Sequence, residues 1–135
     1  MHQDNESNSA PGVVTKSASG SVEENVTKFL ALAESHGLHV FAVIDHSGEA
    51  HKKGLKLRDT KVVIFGSPES GTPVMQAAPL VALDLPLKVL IWDDHGTTTV
   101  AYTDPDVLAA RYDLSPELSK KLMGIGHITD ALVEH

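Results

Sequence analysis

Leu38-His39-Val40-Phe41-Ala42-Val43-Ile44, running into Asp45-His46, and Lys61-Val62-Val63-Ile64-Phe65, running into Gly66-Ser67-Pro68 and then Gly71-Thr72-Pro73, are apolar runs that end in abrupt polar turns. Each is short enough for a strand and too short for a buried helix. The first is apolar on both faces, which predicts a central strand covered on both sides; the second repeats the pattern. Open sheets carry their sites at strand ends, so the polar tips of the two runs are expected to share one hollow.

The segments around them complete the layout. Gly12 to Ala18 reads as a short first strand. Ser21 and Glu24 form a capping box, and Val22, Val26, Phe29, Leu30 and Ala33 make one apolar stripe up to Gly37, which predicts an amphipathic helix. Residues 47 to 53 read as a short helix closed by Gly54. Thr72-Pro73 reads as a helix start. Leu80, Val81, Leu83 and Leu85 are too apolar for an exposed loop and are expected to cover the sheet's second face or a partner subunit. Leu87 to Trp92 and Thr97 to Tyr102 read as a hairpin about Asp93-Asp94-His95-Gly96, the threonines suiting a half-exposed edge. Asp104-Pro105 and Ser115-Pro116 open two C-terminal helices, with Gly124 and Gly126 marking a break in the last one. The hairpin interrupts strict strand–helix alternation. The expected fold is therefore α+β: a two-layer sandwich of about five strands, mixed or antiparallel, with helices mainly on one face.

Composition narrows the function classes. A chain of 135 residues is expected to form one domain, over 12–135, preceded by a flexible polar tail over 1–11. No cysteine is present, which removes disulfides, thiolate metal sites and cysteine nucleophiles. A net charge of −7 with no basic stripe argues against nucleic-acid binding; Lys52, Lys53, Lys56, Arg58 and Lys61 read as a solvated edge. No secretory leader and no unbroken apolar run of membrane length is visible, so no membrane partner and a cytoplasmic location are expected. Three doubly apolar strands with few helices to cover them predict a homodimer.

The combination of His36-Gly37-Leu38, Val40-Phe41-Ala42, Ile44-Asp45-His46, Ile64-Phe65-Gly66, Pro68, Gly71-Thr72-Pro73, Asp84-Leu85-Pro86-Leu87, Tyr102 and Arg111-Tyr112 resembles the family called domain of unknown function 302. The resemblance spans about 12–133. Ser67 and Asp59 depart from it, standing where Asn and Pro are frequent. It implies a compact α+β sandwich, commonly dimeric, and carries no catalytic residue, because the family has no established reaction.

Chemistry is expected at two places. Asp45 beside His46 could orient a general base, and with His51 could hold a divalent metal; the plainer reading is that Asp45 caps the next turn. Gly66, Ser67, Pro68, Gly71 and Thr72 could surround a small ligand or anion. They lack the lysine of a phosphate loop, so no nucleotide cofactor is implied. Asp84, among leucines, must find donors, and tethering of its loop is the simpler role. The reading favours a dimeric ligand-, anion- or metal-binding module near Asp45, His46, Ser67 and Asp84. The alternatives are a small hydrolase or isomerase with His46 as base, and a purely structural or interaction protein.

Overall fold

The computed structural model describes residues 8–134. Five strands, β1 (Val13–Ala18), β2 (His39–Asp45), β3 (Thr60–Gly66), β4 (Leu87–Asp94) and β5 (Thr97–Thr103), form one sheet in the order β1-β5-β4-β3-β2. Every neighbouring pair is antiparallel. The helices are α1 (Val22–Ser35), α2 (His46–Lys52), α3 (Pro68–Ala77), α4 (Pro105–Arg111), α5 (Pro116–Lys120) and α6 (Gly124–Val133), with a 3-10 turn at Pro79–Leu83. The tail expected over 1–11 lies mostly outside the described residues; Asn8, within them, donates to Asp94 at 2.7 Å.

α1 forms as its local sequence dictates. The Ser21 hydroxyl accepts from the Glu24 amide at 3.0 Å while the Glu24 carboxylate accepts from the Ser21 amide at 2.8 Å, so two orphan donors are satisfied reciprocally. Its apolar stripe (Val22, Val26, Phe29, Ala33) packs with Ile125, Ile128 and Leu132 of α6 on one face of the sheet, against Val63, Phe65, Val89, Ile91, Val100 and Tyr102. Phe29 and Phe65 meet edge to face with centroids 5.1 Å apart. Lys16 of β1 ties this layer down, donating to Thr129 at 2.7 Å and pairing with Asp130 at 2.7 Å.

Four expectations change. β2 is the edge strand, not a central one, and Phe41, Val43 and Ile44 are exposed. β5, taken for an edge, lies inside the sheet: Thr98 and Thr99 are buried, with the Thr98 hydroxyl donating to the Gly20 carbonyl at 2.6 Å. α3 begins at Pro68 and carries Pro73 in its interior, because Ser67-Pro68 supplies the same cap-then-proline start as Thr72-Pro73. The segment 79–85 does not cover the sheet's second face. Val81 and Leu85 instead join Val74, Leu108 and Leu122 in a second, smaller core, while Leu80 and Leu83 remain exposed.

The other face of the sheet carries a row of cross-strand neighbours, Ile44, Val62, Leu90 and Ala101, set by the register Ile44↔Val62, Val62↔Leu90 and Leu90↔Ala101. Ile64 and Trp92 lie on that same face, since side chains alternate along a strand. Ile44 is 36% exposed, and Val62, Ile64, Leu90 and Trp92 are only half-buried.

Candidate functional site

The two strand-end turns do not share a hollow. β2 and β3 run antiparallel with His39 opposite Gly66 and Asp45 opposite Lys61. The end of β2 therefore lies at one pole of the sheet and the end of β3 at the other, roughly 17 Å apart along the strands. A single site combining Asp45 and His46 with Gly66–Thr72 is thereby removed.

At the first pole Asp45 acts as the N-cap of α2. Its carboxylate accepts from the Ser47 hydroxyl at 2.7 Å and from the Gly48 amide at 2.9 Å. The Ser47 hydroxyl also accepts from the Thr60 amide at 3.1 Å, so this cap stitches α2 to the start of β3. The Ser47 hydrogen bond, then the Gly48 amide, holds the Asp45 carboxyl below the usual carboxylate range. No hydrogen bond joins Asp45 to the His46 ring, which is exposed at the first position of α2, so the expected orienter–base pair is not formed. His51 is exposed at the far end of the same helix. Among the described residues no group of three or more His, Asp or Glu side chains is placed to hold a metal ion, and Asp45, His46 and His51 do not make one.

At the second pole Gly66, Ser67, Pro68 and Gly71 do converge. They line a hollow of about 270 Å³ together with Phe41, Met75, Leu85, Pro86, Leu87, Lys121 and Leu122. Gly66 ends β3, Leu87 begins β4 and Phe41 lies on β2, so the sheet's edge makes one wall. α3 makes the second, and the α5–α6 junction brings Lys121 and Leu122. The Leu85–Pro86 peptide is cis. A second hollow of about 330 Å³ abuts the first, sharing Gly66, Ser67, Ser70, Leu87 and Lys121, and continues past His36, Leu38, Ile125, His127 and Ile128. The walls of both are almost wholly apolar. Ser67 occupies the N-cap position of α3, yet its side chain makes no capping hydrogen bond.

Two of the sequence candidates fall outside this hollow. Thr72 is exposed on α3 and is not part of its lining. Asp84 lies just before the lining residue Leu85 but turns to α4: it accepts from the Tyr112 hydroxyl and from Arg111 at 2.9 Å. The Tyr112 hydrogen bond, then Arg111, holds the Asp84 carboxyl below its ordinary value. A carboxyl depressed in the folded state contributes stability at pH values above its unfolded pKa of about 3.9, and that contribution disappears as pH falls through the lower folded value. Asp84→Asn is therefore expected to lower the melting temperature near neutral pH by roughly 2–5 °C, an exposed pair being screened by solvent. The variant should also lose less stability than the wild type between pH 5 and pH 3; melts across that range check it.

Sequence reasoning missed Phe41, Met75, Leu85–Leu87 and Lys121 as site residues. Phe41 read as core, and nothing local in the chain joins Lys121 to Gly66.

The family described as "Domain of unknown function DUF302" matches residues 13–132. Proteins of Brucella suis biovar 1 (strain 1330) and Brucella abortus biovar 1 (strain 9-941), both named fluoride-specific ion channel FluC 1, are 38% identical to the chain over 123 residues. The match covers 87% of this chain and 48% and 46% of the two proteins, so the chain spans about half the length of these curated relatives. A crystal structure of an uncharacterised conserved DUF302 protein from Bacillus stearothermophilus has the same fold, with a TM-score of 0.79 at 20% identity, covering 93% of this chain and 98% of that one.

Proposed function

Because the chain belongs to the DUF302 family, matched over residues 13–132, and the family supplies no reaction, we propose on the geometry that it is a small-molecule-binding module that works as a homodimer, with its ligand in the hollow at the Gly66 pole. The observation that carries this reading is the hollow itself: concave, apolar, of about 270 Å³ and joined to a neighbour of similar size. Ligand sites are typically concave, mostly apolar pockets with a few polar groups that fix orientation, and Ser67, Ser70 and Lys121 are such groups here. A ligand that binds only the native state raises the melting temperature. The test is a melt against a library of small metabolites; a set of related hits whose shifts vanish when the hollow is filled supports the reading, and a flat library overturns it.

The dimer is supported by the unpaired edge of β2 and the apolar row beside it. Phe41 is 50% and Val43 42% exposed on that edge, next to Ile44. A free apolar edge strand in a monomer is an aggregation hazard, which a second copy removes. Ile44→Glu is expected to convert a dimer to a monomer at micromolar concentration, read by light scattering after size exclusion; a wild-type monomer under the same conditions would remove the dimer from this reading.

A second reading, that the module accompanies a membrane channel, is favoured by its match to half of two proteins named fluoride-specific ion channels. Among the described residues no helix is long and apolar enough to cross a membrane. The ion path of those proteins would then lie in their other half. Fluoride is not the expected occupant of this hollow, since a bare ion has no apolar part to lay against its walls and would give up its hydration on entering. Millimolar fluoride should leave the melt of this chain unchanged; a saturable rise would transfer the ion to this domain.

A further inference from the structure

We infer that the ligand of this hollow is an aliphatic monocarboxylate, its chain laid against the apolar walls and its carboxylate held where the two hollows meet, by Lys121, Ser67 and Ser70. The inference rests on the binding-module reading above and adds the chemical class. Three observations carry it. First, the polar side chains of the first hollow are not scattered: Ser67, Ser70 and Lys121 stand where it meets the second, and Phe41, Met75 and Leu85 lie to the other side. That is the layout for a molecule with one polar end and one apolar end.

Second, the charge is one-signed. The chain carries 18 Asp and Glu against 11 Lys and Arg, yet among the described residues no acidic side chain lines either hollow. The second hollow adds His36 and His127 to Lys121. In a protein this acidic, a mouth that excludes carboxylates and gathers cationic or protonatable groups selects an anion by complementarity.

Third, Lys121 is uncommitted. Lys16, Lys52, Lys61 and Arg111 each pair with a carboxylate of the chain itself. The Lys121 ammonium pairs with none among the described residues, and the Ser67 hydroxyl caps no helix. A carboxylate placed between them gains charge-assisted hydrogen bonds without breaking any existing one. The apolar chain supplies most of the affinity and the head group the selectivity.

The test uses the whole chain and calorimetric titration with hexanoate, octanoate and decanoate below their micelle concentrations, beside octanol and octyltrimethylammonium. Burial of a methylene corresponds to about a fourfold gain in affinity when complete, so affinity should rise roughly two- to fourfold per added methylene until the hollow is full. Octanoate should bind more tightly than either comparison head group. Lys121→Ala, on an exposed side chain with no ion pair or side-chain hydrogen bond among the described residues, should weaken octanoate roughly three- to tenfold and leave octanol unchanged. Octanol or the ammonium compound binding as well as octanoate, or Lys121→Ala weakening all of them alike, overturns the carboxylate class while leaving the hollow as a ligand site. No binding by any of these compounds overturns the class as well, and the metabolite library then decides whether the hollow binds anything.

Discussion

Phe29→Ala lowers the stability of the domain by about 3–5 kcal/mol and its melting temperature by roughly 10–20 °C. Phe29 is fully buried, stands in the middle of the α1 stripe and fits edge to face onto Phe65. Truncation removes its transfer free energy, leaves a cavity between α1 and β3 that neighbours can fill only in part, and deletes an aromatic pair. The effect is expected to be global because Phe29 lies within the cluster that joins α1, α6 and the strands β3, β4 and β5. Chemical denaturation of the variant beside Ile128→Val, a smaller deletion in the same cluster expected to cost about 0.5–1.5 kcal/mol, measures it. Similar small losses for the two would mean that the main core lies elsewhere.

Gly71→Leu separates binding from folding. Gly71 lies inside α3, its amide donating to the Ser67 carbonyl at 2.8 Å, and its backbone is not in the left-handed region. A Cβ there would sit 3.8 Å from the Met75 Cε and 4.0 Å from the Leu85 Cδ1, which is ordinary contact. A larger side chain would continue between those residues into the hollow. Replacing glycine within a helix removes a cost of about 0.5–1 kcal/mol. The variant is expected to melt at the wild-type temperature or a few degrees above it, while ligand affinity falls at least tenfold. Opposite signs in the two readouts exclude unfolding as the cause of lost binding. Unchanged affinity for a ligand that stabilises the wild type would locate the site elsewhere.

What the sequence revealed was what is local. The capping box of α1, its stripe and its stop at Gly37 all act within a few residues, and the helix appears as read. The hairpin about Asp93–Gly96 is equally local, with Gly96 at φ 95° and its amide bonded to the Asp93 carboxylate at 2.7 Å. The α+β sandwich with its long helices on one face followed from the order of those elements. Strand placement did not follow. β2 is apolar on both faces whether it is central and covered or, as here, at the edge and exposed, because composition records that a surface is apolar and not what covers it. Thr98 and Thr99 misled in the other direction: the Thr98 hydroxyl donates to the Gly20 carbonyl just beyond β1 and the Thr99 hydroxyl to the Thr97 carbonyl, so β-branched polar residues sit inside where an edge was expected.

The candidate site was half legible for the same reason. Gly66, Ser67, Pro68 and Gly71 were singled out as a turn at a strand end, and they do border the hollow. The partnership with Asp45 and His46 failed because two strands read one after the other say nothing of their relative direction; antiparallel pairing sends their ends to opposite poles. Lys121 carries no mark in the chain beyond its position after the Ser115–Pro116 helix start. It becomes a site residue only when the α5–α6 junction folds across the end of β3.

The most direct measurement is a heteronuclear NMR titration of the labelled chain with octanoate, following every backbone amide. Perturbations confined to Phe41, Gly66–Gly71, Leu85, Leu87 and Lys121–Ile125, saturating with one affinity, are the expected result. Perturbations centred on Asp45, His46 and His51, with the Gly66 pole unmoved, would contradict it.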